Sequence, residues 1–237
     1  LKTTDGNTVY GANIECAGVI VGKVCANNPV NDEVHETHDL DGNGFCSRGC
    51  YEKATYNESD GVYEISNAGQ YNWFAGLVNG TQAGTTQNKS AKAVLKNNVD
   101  FGSHSFISIG GHSTTNLFEG TFDGQGHSLT VNQSGSNNTT PFGYIGSCTI
   151  QNLTVKGVIN TDISFTSGIA ACKYGTGTAY IEKCISDVTI NSSVIGDGTH
   201  GGLLGTCEEG KIYIQDCGFT GAMNGENTTC CGGFIGY

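Results

Sequence analysis

The segment Glu119–Val131, EGTFDGQGHSLTV, sets a carboxylate, Asp123, four residues before an imidazole, His127. A carboxylate and an imidazole in reach of one another are the minimum for general acid–base chemistry. No further partner for such a pair is evident in the flanking residues. Asp123-Gly124-Gln125-Gly126 also separates two strand-like runs. Asp-Gly is a turn signal, and Gly126 adds a second position that accepts positive φ. The stretch is therefore read as a turn between strands.

A second candidate is HDLDGNGFCSRGC, His38–Cys50. Asp39, Asp41, Asn43 and Gly44 follow the first half of a D-x-D-x-N-G calcium loop, whose side-chain oxygens converge on the ion. The twelfth position of such a loop is a bidentate glutamate; here it is Cys50. The favoured alternative is a hairpin with Asp-Gly-Asn-Gly at its tip. No cofactor is expected, with calcium at Asp39, Asp41 and Asn43 as the alternative. Zinc would draw on Cys16, Cys25, His35, His38, Cys46 and Cys50, but only Cys46 and Cys50 have the close spacing of structural zinc ligands. Disulfides such as Cys16–Cys25 and Cys46–Cys50 are the expected use of these cysteines.

The chain around these residues has 237 positions, a net charge of −11 and one arginine, Arg48. Nucleic acid needs clustered lysine and arginine on one face, so that class of partner is excluded. Anionic membrane surfaces are disfavoured for the same reason. No apolar run approaches the ~20 residues of a membrane helix, so no direct span is expected in this segment. Leu1 opens without a signal-peptide pattern and the sequence stops abruptly at Tyr237, which suggests a processed chain or an excised piece. Eleven cysteines are many for a reducing compartment. Nine N-x-S/T sequons, at Asn57, Asn79, Asn88, Asn132, Asn137, Asn138, Asn152, Asn191 and Asn227, are glycosylation candidates if the source is eukaryotic. Together they favour an extracellular or cell-surface location and a glycoprotein.

Glycine is abundant at 37 residues and proline rare at two, a balance that suits short strands joined by tight turns. Residues 1–55 read as a small Cys-rich region or the tail of a preceding domain. Residues 63–80 hold the one convincing helix, spanning 66–79. Ser66 is its expected N-cap, Tyr71, Phe74, Ala75 and Val78 its apolar face, and Asn79-Gly80 its stop. The helix is expected to cap an open end. From residue 94 on, the pattern is short strands, and it repeats. GYIGSCTIQNLTVKG begins at Gly143, GIAACKYGTGTAYIEKCISDVTI at Gly168, GLLGTCEEGKIYIQDCGFTG at Gly202 and GFIGY at Gly233, which are 25, 34 and 31 residues apart. Ile150-Gln-Asn-Leu153, Ile181-Glu-Lys-Cys184 and Ile214-Gln-Asp-Cys217 keep step. A unit of this size cannot bury a core alone, whereas stacked coils can. The fold class expected is all-β, a right-handed parallel β-helix over residues 60–237 with one short capping helix. Glycines at the unit starts suit corners that need positive φ or close backbone approach.

GGLLG at Gly201–Gly205, GGFIG at Gly232–Gly236 and the degenerate SGIAA at Ser167–Ala171 resemble the GLUG motif. That motif occurs as tandem repeats in bacterial surface proteins and beside some IgA-cleaving metallopeptidase domains. YEISNAGQYNWFAGLVNG and GTFDGQGHSLTV are similar to segments that precede such repeats. The resemblance covers residues 60–237 and implies a β-helical surface module; it carries no catalytic residue onto this chain. The cysteine content departs from it. Polygalacturonases resemble this architecture too, with N-T-D, Asp-pair, G-H-G and R-I-K segments. Asn160-Thr161-Asp162 and Gly110-Gly111-His112 are present here, but no Asp pair, and Arg48 lies outside the repeats. A pectate lyase-like base with calcium carboxylates is missing as well.

The repeats place their cysteines in two expected columns, Cys148/Cys172/Cys207 and Leu153/Cys184/Cys217. Bridges within a coil, Cys172–Cys184 and Cys207–Cys217, are favoured, with stacked free thiols and cross-coil bridges as alternatives. His104, His112 and His200 are expected as solvated loop residues, and Trp73 as core. Tyr174, Tyr180 and Tyr213 are candidates for an exposed face that stacks on sugars or for packing pairs. The function expected is non-enzymatic: a repeat module in adhesion or a stiff stalk, binding a glycan or protein surface. The alternatives are a subunit that self-associates into an extracellular fibre and a carbohydrate-active enzyme.

Overall fold

The computed structural model describes residues 39–237 except 48, 83 and 136–138, and the backbone of two short strands, β1 (Glu15–Cys16) and β2 (Val19–Ile20), paired antiparallel. The chain forms an all-β solenoid of about five turns with one helix. Strands β3 (Thr55–Asn57) and β4 (Val62–Ile65) make an antiparallel hairpin, and α1 (Ala68–Asn79) follows. The first turn then supplies β5 (Lys92–Leu95) and β6 (Val99–Asp100). The second supplies β7 (Thr121–Asp123), β8 (Ser128–Gly135) and β9 (Phe142–Ile145), and the third β10 (Thr149–Gln151), β11 (Thr154–Thr161) and β12 (Ala170–Lys173). The fourth holds β13 (Thr178–Glu182), β14 (Ile185–Ser192), β15 (Gly196–Gly201) and β16 (Leu204–Cys207). The fifth holds β17 (Lys211–Gln215), β18 (Gly218–Phe219), β19 (Ala222–Asn224) and β20 (Thr228–Gly232).

Equivalent strands of successive turns pair in parallel. The long sheet runs β17-β13-β10-β7-β5-β4-β3, the second β18-β14-β11-β8-β6, and the third β16-β12-β9. Alternation decides which side chains enter. In β13, Ala179 and Ile181 are buried while Thr178, Tyr180 and Glu182 face outward. Phe122, Ile150, Ile181 and Ile214 stand in register as one inward ladder. Each fully buried member contributes about 1.5–3 kcal/mol. In β17 the same alternation leaves Ile212 and Ile214 only half-buried, against the preceding turn.

The corner between the long sheet and the second sheet repeats a left-handed residue, at Gln125, Asn152, Lys183 and Asp216, with φ of 50°, 52°, 52° and 53°. The unit-start glycines serve a different need. None of Gly143, Gly168, Gly202 and Gly233 has positive φ. A Cβ on Gly143 would lie 1.6 Å from the Gly111 carbonyl oxygen, and one on Gly202 would lie 2.0 Å from that of Gly233. Neighbouring coils approach too closely for a side chain at Gly143 and Gly202, whereas a Cβ on Gly233 would meet nothing within 4 Å.

The helix starts one residue later than its Ser66 signal suggests. Asn67 is the N-cap, its side chain accepting the Gln70 amide, and Gly80 ends the helix at φ 71°. Ser66 instead donates its amide to the Gln70 side chain. The helix is buried from Ala68 to Val78, not on one face. Tyr71 and Phe74 pack on Phe101, Phe118 and Phe122, while the segment around Asn43–Phe45 covers the other side through Gly69, whose amide reaches the Asn43 carbonyl at 2.7 Å. Trp73 is core, against Tyr63.

Candidate functional site

Two outward faces carry in-register polar and aromatic side chains. On the second sheet, Asn224 donates to Asn191 at 2.9 Å, Asn191 to Asn160 at 2.9 Å and Asn160 to Ser134 at 2.8 Å. This ladder borders an open groove of about 390 Å³ lined by Gly135, Asn160, Thr161, Asp162, Asn191 and Ser192 among others. On the long sheet, Tyr213 and Tyr180 stack at 5.4 Å with planes 13° apart, 47% and 38% exposed, and continue through Thr149, Thr121 and Lys92. The adjacent outward row is Gln215, Glu182, Gln151 and Asp123. Such rows of carboxamides and ring surfaces match the hydrogen-bonding and stacking needs of sugars or of a polar protein surface.

Asp123 belongs to this row as a corner residue. Its carboxylate accepts the Gln125 amide at 2.8 Å, Asn152 Nδ2 at 3.0 Å and Gln151 Nε2 at 2.9 Å. Partial burial alone would raise its carboxyl; the three bonds together hold it below the usual range. The turn reading of this stretch is what the structure shows.

Behind the groove, His200 Nε2 lies 2.8 Å from Ser192 Oγ. That oxygen also takes the Val194 amide at 3.2 Å and the Thr228 hydroxyl at 3.1 Å. A cavity of about 170 Å³ adjoins them, lined also by Ile190, Met223, Asn224 and Cys231. His200 is 1% exposed, and its Nδ1 has no hydrogen-bond partner among the described residues. Burial lowers its pKa, against Asp197 and the Thr166 backbone, which raise it. The pair has the contact of a nucleophile and base, and among the described residues no side chain bonds the Nδ1 that a third group would hold in such sites. The expectation of a solvated His200 is therefore corrected. His104 is also packed, its ring stacked on Phe45 at 3.8 Å and bonded to Asp41 at 2.8 Å, while His112 stays exposed, edge-on to Tyr144.

At the calcium candidate, Leu40 bridges Cys46 antiparallel, so Asp41–Gly44 is a hairpin tip. Asp41 Oδ1 accepts the amides of Asn43 and Phe45 at 2.8 and 2.9 Å, and Oδ2 faces His104. Both oxygens of Asp41 thus hold the hairpin tip and His104, and Asp39 and Asn43 flank it in the same tip. Among the described residues no group of three or more His, Cys, Asp or Glu is set to hold a metal. Of the zinc candidates, Cys25, His35 and His38 lie outside the described residues, as does the side chain of Cys16. Cys46 and Cys50 are buried together.

Of the two expected cysteine columns, Leu153/Cys184/Cys217 stacks on successive turns, whereas Cys148/Cys172/Cys207 does not. Cys172 stands opposite Thr206, and Cys207 opposite Lys173. Cys148 precedes β10 of the long sheet, its carbonyl bonded to Tyr180. Lys173 takes the inward position because its Nζ finds the carbonyls of Tyr174, Gly175 and Glu209 at 3.0, 2.5 and 3.1 Å. Cys184 contacts Cys217 of the next turn, where the in-coil proposal paired them with Cys172 and Cys207. Among the sequons, Asn88, Asn132 and Asn227 are exposed. Asn57, Asn79, Asn152 and Asn191 use their side chains in internal hydrogen bonds, and Asn137 and Asn138 lie outside the described residues.

The groove residues Asn160 and Asp162 come from the N-T-D segment, while Gly110–His112 lies by Phe118, Asn116 and Tyr144. The Asn ladder had a sequence signal, since Asn160, Asn191 and Asn224 are 31 and 33 residues apart, one repeat each. Ser192 and His200 had none, because the corner between β14 and β15 alone brings them together.

No protein-family model matches the chain, and no curated protein matches it. Among solved structures, the chain is similar to a "putative immunoglobulin A1 protease" from Bacteroides ovatus, at 17% identity and a TM-score of 0.44, over 78% of this chain and 74% of that one. At that level the likeness carries no statement about activity.

Proposed function

We propose that the chain is a non-enzymatic, extracellular or cell-surface repeat module of the GLUG-like kind that acts in adhesion. Its β-solenoid serves as a stiff scaffold, and its flat faces present ladders to a glycan or a protein surface. The observation that supports this is the in-register exposure of Asn160–Asn191–Asn224 and Tyr180–Tyr213. Cysteine and sequon content support the location. The test is a glycan and polysaccharide array with the purified chain, with and without EDTA. Saturable binding that survives EDTA is expected. A blank array from folded protein would sink the glycan form of the reading, and loss with EDTA would return Asp39, Asp41 and Asn43 as a calcium site. New reducing ends from a polysaccharide panel would overturn the non-enzymatic assignment.

A further inference from the structure

The residue following each left-handed corner residue of the third, fourth and fifth turns is Leu153, Cys184 and Cys217. The Ile185 amide donates to the Leu153 carbonyl at 2.9 Å, and the Gly218 amide to the Cys184 carbonyl at 3.0 Å. The three are therefore consecutive rungs of one ladder. The Cys184 amide reaches the Cys217 sulfur at 3.3 Å, while Cys184 Sγ lies 3.3 Å from the Glu182 carbonyl and Cys217 Sγ 3.1 Å from that of Gln215. Rungs of neighbouring strands are about 4.8 Å apart, inside the roughly 4.4–6.8 Å Cα window of a disulfide. We propose that Cys184 and Cys217 are a redox-active thiol pair that closes into a disulfide between successive turns of the solenoid. This rests on the corner geometry and is independent of the adhesion reading.

The two sulfurs have unequal access. Cys184 is fully buried, so an external oxidant meets Cys217, which is partly exposed. The neighbouring Cys184 thiol favours the Cys217 thiolate; desolvation opposes it, and the Cys184 amide adds to it, with a net lowering. Cys148 and Cys172, by contrast, are pushed up to about 12 by burial and make poor nucleophiles. With a low-molecular-weight disulfide as oxidant, the Cys217 thiolate attacks one sulfur and expels one thiolate, leaving a mixed disulfide. Cys184 then gives up its proton to that thiolate and attacks the Cys217 sulfur, and the second small thiolate leaves. Two protein thiols become one disulfide, and the oxidant becomes two thiols.

The experiment treats the full chain with oxidised glutathione, blocks remaining thiols with N-ethylmaleimide and maps peptides without reduction. Cleavage after Lys183 and before Asp187, and before Asp216 and after Glu226, isolates each cysteine by itself. The expected product joins Cys184–Ser186 to Asp216–Glu226, and the same treatment in guanidinium loses that preference. Cys184→Ser should hold a stable glutathione adduct on Cys217, whereas Cys217→Ser should leave Cys184 unmodified. The proposal is overturned if both peptides of the native chain carry maleimide, if either cysteine links elsewhere, or if Cys217 keeps glutathione while Cys184 stays reduced. Equal linkage in guanidinium would show that the fold does not direct it.

Discussion

At the scale of single residues, polar side chains do most of their work in holding corners. His200 illustrates what this costs. Burial lowers its pKa, outweighing Asp197 and the Thr166 backbone. A histidine held below its unfolded value of about 6.5 costs nothing at higher pH. As pH falls below that value the unfolded chain takes up a proton that the native chain refuses, and stability declines. The melting temperature should therefore fall from about pH 6.5 downward, and His200→Gln should flatten part of that slope in a thermal series. Asn191 tests the face. Its two ladder bonds lie near the surface, so Asn191→Ala should change stability by at most about 1 kcal/mol. If the ladder is the binding face, the variant should nonetheless lose its signal on the glycan array. Unchanged binding would move the site to the Tyr180–Tyr213 face.

At the scale of elements, the ladders and close approaches carry the stability. Phe122 is fully buried and touches Tyr71, Phe74 and Phe142. Phe122→Ala removes the ring contacts that Phe122 makes with Tyr71 and Phe74 of the helix, and should cost about 3–5 kcal/mol in denaturant unfolding. Gly143→Ala should cost about 3 kcal/mol or more, because the added Cβ meets backbone that cannot turn aside. A neutral Gly143→Ala would show that the coils can separate there. The helix itself read correctly as one short helix and incorrectly as amphipathic. Its apolar face was visible in the 3.6-residue spacing. The cover on its far side comes from the Asn43–Phe45 segment, which no local pattern announces.

At the scale of the whole molecule, a solenoid gains stability turn by turn, each coil covering the last. The central strands β8, β11 and β14 pair on both sides, while β17 has one neighbour and an alternation of exposed and half-buried residues. Amide exchange should accordingly be slowest in β11 and fastest in β17–β20. Uniform protection along the chain would contradict turn-by-turn stability.

Repetition, alternation and turn chemistry in the sequence by themselves determined the solenoid, the inward Ile150–Ile181–Ile214 ladder, the helix with its Gly80 stop and the Asp-Gly corners. These follow from local periodicity, which each turn states anew. Tertiary structure alone decided the rest. Register to within one residue separated Cys172 from Cys207, because Lys173 could satisfy its ammonium on three carbonyls. A corner between strands brought Ser192 to His200. The repeats had already put Cys184 and Cys217 in one column, and the packed corner chose contact across turns over closure within one. A one-residue slip leaves the hydrophobic pattern legible but moves every side chain to a new neighbour, and only the packed coils fix which neighbour that is.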